Sequence, residues 1–157
     1  MSVDSLFEAW ERAWSGRDPR AFAAICAADV HYEDPLTPRP LQGPEAIAAH
    51  AARLWQAFPD ARLNPTGERL VSGRFAAAPH KLLATHRGAM PALPATHRSI
   101  VVHGVAYAEM DAGRLQRVRV FFDLYGIAVQ LGIMPHSGSA GERALMLLRG
   151  FGLRRRG

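Results

Sequence analysis

The chain has 157 residues and a mass of 17.2 kDa, which fits one domain and leaves too little length for two. Its composition is 48% hydrophobic and 21% charged, which is typical of a globular protein and excludes a disordered chain. Because Cys26 is the only cysteine, a disulfide framework within the chain and a cysteine-rich zinc module are both excluded.

The positive charge is concentrated at the end of the chain. The formal net charge is +5, and four of these units lie after residue 135, where Arg154, Arg155 and Arg156 follow Arg143 and Arg149. A nucleic-acid-binding domain normally carries its basic stripe on the folded body, which is here near neutral. The sequence has no stretch of 18 apolar residues. We therefore expect no nucleic acid and no membrane among the partners. The single cysteine fits a reducing setting, so we expect a cytoplasmic location.

The first third of the chain shows helical periodicity. Residues 3–15 place apolar side chains at the spacing of an amphipathic helix. A second helix is predicted for residues 18–28, with Asp18 as its N-cap, and a third for residues 43–58. The apolar stripe of the third helix consists of Ile47, Ala51, Leu54 and Phe58.

A period of two, typical of strands, dominates after Pro59. A short strand is expected at residues 30–35, and longer ones at 61–73, 75–88, 97–110 and 114–124. Residues 111–113 predict a tight hairpin, and residues 124–132 a short final helix. Helices followed by antiparallel strands predict an α+β fold, in which a curved sheet closed on one side by helices leaves a concave mouth for a small apolar ligand.

The domain boundary is placed near residue 135. Residues 1–135 are expected to form the single α+β domain, and residues 136–157 an arginine-rich tail with a helix-capable stretch. No phosphate-binding glycine loop or zinc-protease motif is present in the sequence. The histidines are scattered and none pairs at the i, i+4 spacing on a helix, so no metal site is predicted.

Asp123 is the strongest candidate for a catalytic residue. It follows "VRVFF" at 118–122 and precedes a short helix, so that a carboxylate ends an apolar strand. The hairpin places His103 beside Phe121 or Asp123 on one face. An acid surrounded by aromatic rings would have a raised pKa and could exchange protons near neutral pH. The alternative is that Asp123 only caps the helix, and that His103 is an ordinary sheet histidine.

Further candidate residues surround the expected mouth. His86 lies near the end of its strand and is a second candidate proton carrier. Tyr32 and Asp34 share a strand face that points toward the mouth, although Asp34 followed by proline is also an ordinary turn start. The remaining candidate ligand contacts, which are also candidate core residues, are the aromatic side chains Trp14, Trp55, Phe58 and Phe121.

Three segments carry a resemblance to a known family. They are "DVHYEDP" at 29–35, "GPEAIAAHAARLWQAFPDAR" at 43–62, and "ATHRGAMPALPATHRSIVVHGVAYAEMDAGRLQRVRVFFDLYGIAVQLG" at 84–132. Together they resemble the SnoaL-like polyketide cyclases, which belong to the nuclear-transport-factor-2-like superfamily along with ketosteroid isomerase and limonene epoxide hydrolase. The resemblance extends over residues 3–135, and its most specific parts are "AFPD" and "FFD" followed by "QLG".

The resemblance implies a cone of curved antiparallel sheet packed around the N-terminal helices, and a homodimer formed through the outer sheet face. It implies an intramolecular aldol condensation with Asp123 as the acid/base and with neither metal nor organic cofactor. His86 matches the histidine of the family's "G-T-H-x-G" stretch, in which Ala84 replaces the first glycine here. The chain also departs from the family at Pro79, which predicts a bulge or a sheet edge, and at His97, which replaces a turn glycine.

Three functions are open at this point. The first is a cofactor-free acid/base enzyme, a cyclase or an isomerase, acting on a small apolar carbonyl compound with Asp123 as its base. The second is a non-catalytic module of the same fold that binds a hydrophobic ligand or dimerises. The third is an epoxide-hydrolase-like enzyme, which would need Asp34 and Arg119 to meet in the pocket; side chains on opposite faces of the sheet would exclude it.

Overall fold

One curved sheet of seven strands carries the fold in the computed structural model, which describes residues 2–151. The helices are α1 Val3–Gly16, α2 Ala21–Ile25, α3 Pro44–Ala57, α4 Leu124–Gln130 and α5 Ala140–Leu148. The strands are β1 Cys26–Glu33, β2 Leu41–Gln42, β3 Arg62–Pro65, β4 Leu70–Ser72, β5 Phe75–Thr85, β6 Ser99–Asp111 and β7 Arg114–Phe122. The predicted α+β class is confirmed.

The strand order is β2-β1-β7-β6-β5-β3, and β4 pairs with the same edge of β5 as β3. All pairs are antiparallel except β1 with β7, which are parallel. The predicted hairpin between β6 and β7 is confirmed, with Ala112 at φ 45° and Gly113 at φ 73°. Two successive left-handed residues match the right-handed twist of the flanking strands.

Two predicted elements differ from the observed ones. The helix predicted for residues 18–28 is reduced to α2, because Cys26 already pairs with Leu115 of β7. The alanine-rich sequence has a high helix propensity, which sheet pairing overrides here. The strand predicted for residues 61–73 is divided into β3 and β4, which both pair with β5.

Pro79 lies inside β5, a long strand paired on both sides, without a bulge. β5 tolerates this proline because no strand pairs with it on one edge. The pairing of β3 with β5 ends at His80 and that of β4 with β5 begins at Ala77, which leaves a gap at Pro79. The carbonyl oxygen of Pro79 faces this gap and accepts from Thr66 N–H, so its nitrogen faces the same side, where no strand requires a donor. The strand edge predicted at Pro79 is therefore present locally.

The core lies between the helices and the inner face of the sheet. The even-numbered residues of β5 and β6, and those of β7 from Val118 onward, point inward because successive strand side chains alternate. At the start of β7 a register shift turns Leu115 inward instead. Facing alanines on β5 and β6, such as Ala78 and Ala106, leave room for the large side chains Phe7 and Trp10 of α1. Cys26 is buried in this core, and burial raises the pKa of its thiol to about 12.

Helix α5 lies after residue 135, and its side chains Met146, Leu147 and Leu148 are exposed, the last at 86%. The arginines predicted to dominate the tail, Arg154 to Arg156, lie outside the described residues. Within residues 2–151 no helix is both long and apolar enough to cross a membrane.

Candidate active site

An apolar cavity of about 210 Å³ opens between the helices and the inner face of the sheet. Helix α1 contributes Trp10 and Trp14, α3 contributes Trp55, and the loop after β5 contributes Met90 and Leu93. Its lining within the described chain includes three titratable side chains, Tyr32, Asp34 and His80. An apolar lining with few polar groups strengthens each electrostatic interaction inside the cavity.

Asp34 is placed by the turn that follows β1. The Asp34 N–H donates to Thr37 Oγ1 at 2.9 Å, and the Asp34 carbonyl oxygen accepts from Thr37 N–H at 3.0 Å. Its side chain is 2% exposed and extends toward the cavity. Asp34 therefore begins a turn, as its position before proline predicted, and also lies at the cavity, as strand alternation predicted.

Three hydrogen bonds hold the Asp34 carboxylate. Oδ2 accepts from the Tyr32 hydroxyl at 2.7 Å and from His50 Nε2 at 2.9 Å, and Oδ1 accepts from Leu36 N–H at 2.8 Å. Burial acts to raise the pKa of Asp34, but the donors His50 and Tyr32, with Leu36, outweigh it and lower that pKa below its usual value. Asp34 is therefore an anion at neutral pH.

His50 is a functional candidate that sequence reasoning missed. It lies on α3 behind Asp34, and its Nδ1 is 3.5 Å from Arg53 Nη2. An arginine donor at Nδ1 assigns the ring proton to Nε2, which then donates to Asp34. Helical spacing could have identified it, because His50 falls on the inward stripe of α3 between Ile47 and Leu54.

Tyr32 acts as a donor rather than as an acid. Burial first, and then the adjacent Asp34 charge and hydrogen bond, raise the pKa of Tyr32 well above its ordinary value. Its hydroxyl therefore keeps its proton and continues to orient the carboxylate.

His80 lies on the inner face of β5, three strands from β1 in the sheet order. Its Nδ1 lies 3.3 Å from the Ala78 carbonyl oxygen, an acceptor, so Nδ1 carries the ring proton. Burial lowers the pKa of His80 below its ordinary value, and the bond to Ala78 opposes this only in part. Sequence reasoning missed His80 as well, although strand alternation places it between inward-facing Ala78 and Leu82.

The lowered pKa of His80 predicts a pH-dependent stability. An unfolded histidine with a pKa near 6.5 gains its proton at a higher pH than the buried ring, so falling pH favours the unfolded chain. We expect the free energy of unfolding to decrease from about pH 7 to pH 5, and less steeply in His80→Gln. Urea denaturation at several pH values measures both slopes, and equal slopes would contradict the prediction.

The structure places Asp123 and His103 outside the cavity. Inward positions of β7 are Val118, Val120 and Phe122, so the odd-numbered Asp123 falls on the other side. Asp123 is exposed and caps α4, its Oδ1 accepting from Gly126 N–H at 2.8 Å. The expectation of an acid enclosed by aromatic rings is therefore wrong, and the capping alternative describes this side chain.

The predicted neighbourhood of Asp123 exists, but on the outer face. Pairing of Gly104 with Phe122 continues toward His103 beside Asp123, as the hairpin suggested. Both line an open depression with Phe121, which is 58% exposed and does not line the cavity. His80 also reaches this depression, because Gly104 leaves the sheet thin there.

His86 is fully buried but does not line the cavity. Its Nδ1 accepts from Thr96 N–H at 3.1 Å, which ties the end of β5 to the following loop. Its ring lies 5.1 Å from that of Phe58, a residue that does line the cavity, as do the predicted contacts Trp14 and Trp55. His86 therefore supports the cavity wall.

Arg119 lies on the outer face and forms an ion pair with Glu33. Asp34 points to the inner face, so the arginine and carboxylate required for an epoxide-hydrolase-like site are on opposite sides of the sheet. This arrangement excludes the epoxide-hydrolase-like alternative. Within residues 2–151, no three histidine, cysteine, aspartate or glutamate side chains are grouped to hold a metal ion.

Comparison with known proteins identifies the family of this chain. The sequence profile of the SnoaL-like polyketide cyclases matches residues 5–131. No curated protein matches the chain. TsrD from Streptomyces laurentii is a structural neighbour at 24% identity and a TM-score of 0.73, with 83% of this chain and 95% of that chain covered.

Two further neighbours have the same fold. A protein from Catenulispora acidiphila with a ketosteroid-isomerase-like fold has 19% identity and a TM-score of 0.72, over 84% of this chain and 95% of its own. AclR from Streptomyces galilaeus has 17% identity and a TM-score of 0.75, over 94% of this chain and 95% of its own. With the profile match over most of its length, the chain belongs to the SnoaL-like polyketide cyclase family.

Proposed function

We propose that this protein is a cofactor-free acid/base enzyme that acts on a small apolar carbonyl compound, as an isomerase or an intramolecular aldol cyclase. The observation that carries the proposal is an ionised carboxylate, Asp34, on the wall of an apolar cavity. The base is Asp34 rather than Asp123, because Asp34 adjoins the space that a substrate would fill.

The hydrogen bonds of Asp34 leave one oxygen able to react. A carboxylate oxygen has two lone-pair sites, and those of Oδ2 are filled by Tyr32 and His50. Oδ1 accepts one hydrogen bond, from Leu36 N–H, and keeps a site open. We assign proton transfer to Oδ1, with Tyr32 and His50 orienting the group.

The reaction is balanced without an oxidant or a co-reactant. Asp34 removes a proton from a carbon next to the substrate carbonyl, and the bonding pair moves into an enolate. For an isomerase, the proton returns to a different carbon. For a cyclase, the enolate carbon bonds to a second carbonyl carbon of the same molecule, and the resulting alkoxide takes the proton from Asp34.

Exchange of 2-tetralone, a small bicyclic ketone, tests the proposal. In D₂O, we expect the protein to accelerate replacement of the hydrogens next to the carbonyl, followed by proton NMR against buffer alone. No acceleration of this ketone while it binds would overturn the enzymatic proposal. That result would favour the second candidate, a binding module of the same fold, for which the apolar lining is the supporting observation.

We also propose a homodimer formed through the outer sheet face. This face exposes Val101, Val105 and Phe121, and the Phe75 and Tyr107 rings stack on it at 6.1 Å. Contiguous apolar surface of this kind marks an interaction site. The buried Cys26 thiol fits the reducing cytoplasm, which we propose as the location.

A charge on that face is expected to dissociate the dimer. Tyr107→Glu places an unpaired carboxylate in the apolar interface, and sedimentation velocity should shift from dimer to monomer. Leu148→Glu, a control on exposed helix α5, should remain dimeric. A Tyr107→Glu protein that sediments like the wild type would contradict the proposed interface.

A further inference from the structure

The wall of the cavity carries a second polar group, His80, on a different strand from the one that leads into Asp34. In the sheet order, β7 and β6 separate β1, which leads into Asp34, from β5, which carries His80. At a strand spacing of about 4.8 Å these three steps extend over roughly 14 Å along the curved sheet. Asp34 and His80 therefore line the same cavity from different strands of the sheet.

The ring of His80 presents a bare acceptor. Because Nδ1 carries the proton that bonds the Ala78 carbonyl oxygen, Nε2 of the neutral ring has only a lone pair. The fully buried side-chain polar atoms without a partner in residues 2–151 are Arg69 Nε and His86 Nε2. His80 Nε2 makes no hydrogen bond within residues 2–151. Because it is not among these fully buried atoms, it is accessible from open space.

Gly104 makes room for this ring. It pairs directly with His80 across β5 and β6. A Cβ atom at residue 104 would lie 2.9 Å from His80 Nε2 and 2.8 Å from the Phe121 carbonyl oxygen, which is closer than such contacts allow. Glycine weakens a strand interior, and it occurs there where another group must approach closely. At this position the approaching group is His80.

We propose that His80 Nε2 binds a hydroxyl or enol group of the ligand, and that Gly104 is the positioning residue that keeps the ring in place. The inference rests on the proposed function in taking the cavity as the ligand site, and it refines the substrate class. A carbonyl with acidic neighbouring hydrogens faces Asp34, and a hydroxyl or enol donor faces His80. A neutral imidazole nitrogen cannot donate, so the matching ligand group must carry the proton.

Equilibrium dialysis with 2-naphthol and 2-methoxynaphthalene tests this assignment, since only 2-naphthol has a donor. One uncharged hydrogen bond corresponds to an affinity difference of about five- to tenfold. We expect the wild type to prefer 2-naphthol by that factor. His80→Leu should abolish the preference, and His80→Gln, whose amide oxygen accepts, should restore part of it.

The control is His103→Leu, the same substitution at the residue before Gly104, on the outer face. His103→Leu should keep the preference for 2-naphthol. Loss of the preference in this variant would place the hydroxyl in the outer depression and overturn the proposal. Gly104→Ala should reduce the preference although His80 is present. Asp34→Asn should retain it; a loss in Asp34→Asn with none in His80→Leu would overturn the inference without affecting the proposed catalysis.

Nitrogen NMR of the wild type, labelled with ¹⁵N-histidine, makes the test independent of variant folding. We expect His80 to show a protonated Nδ1 and a bare Nε2, and 2-naphthol to shift the Nε2 resonance more than 2-methoxynaphthalene does. The opposite tautomer, or an Nε2 resonance that neither compound moves, would overturn the proposal. If 2-tetralone exchange fails while this shift is seen, the proposed catalysis is wrong and the binding assignment stands.

Discussion

Asp34→Asn is expected to lower the rate of 2-tetralone exchange by about 10²- to 10⁴-fold, the usual contribution of a positioned general base. The amide occupies nearly the same volume as the carboxylate but cannot accept a proton at neutral pH. It also turns one acceptor into a donor next to Tyr32 and His50, whose hydrogens both point at this group. The orienting network is therefore disturbed together with the base.

Asp123→Asn is the matched control, because it makes the same chemical change on the outer face. Asparagine is as good an N-cap as aspartate, so the bond to Gly126 N–H and the fold should persist. Its exchange rate should equal that of the wild type. Loss of exchange in Asp123→Asn with retention in Asp34→Asn would reverse our assignment of the base. Thermal unfolding of both variants shows whether either loss is a loss of folding.

The fold was predictable from the sequence because its periodicities are local. The stripe of residues 3–15 and the glycine-containing turn at 111–113 each specify their element from neighbouring residues alone. The errors arose where distant pairing decides. Residues 26–28 have a helical composition but belong to β1, because β1 pairs with β7. That partner strand begins some 90 positions later, so the local sequence does not indicate the pairing.

The candidate site was predictable only in part. Alternation along β1 was enough to place Tyr32 and Asp34 on one face, and the structure puts both at the cavity. For β7, the same reasoning identified the neighbours of Asp123 but could not say which face is inward. That choice depends on the helices that cover the sheet. His50 and Asp34 meet because α3 packs over the turn after β1, and the inward position of His50 on its helix does not specify this partner.

A large loss of stability is expected for Gly88→Ala. The backbone of residue 88 lies directly on the end of α3, where Arg87 N–H and Gly88 N–H both donate to the Ala57 carbonyl oxygen at 2.9 and 3.0 Å. A Cβ atom at residue 88 would lie 1.9 Å from the Gln56 carbonyl oxygen. Because the obstacle is backbone, no side-chain rotation can relieve the clash.

The loop after β5 must therefore move away from α3 in Gly88→Ala. Both hydrogen bonds to Ala57 would be lost, and the contact between His86 and Phe58 would loosen. We expect a loss of about 3 kcal/mol or more in the free energy of unfolding, measured in urea. Met90 and Leu93 of the same loop line the cavity, so 2-naphthol binding should weaken as well.

Gly16→Ala is the control for this substitution. Gly16 ends α1 and has no atom within 4 Å of the position that a Cβ would take. Alanine is the better helix former, so Gly16→Ala should be neutral or more stable by up to about 1 kcal/mol. The glycine of the "THRG" segment is then explained by its contact with α3 rather than by chemistry at His86. A Gly88→Ala protein within about 1 kcal/mol of the wild type would contradict this explanation, because it would mean that the loop does not need to lie against the helix.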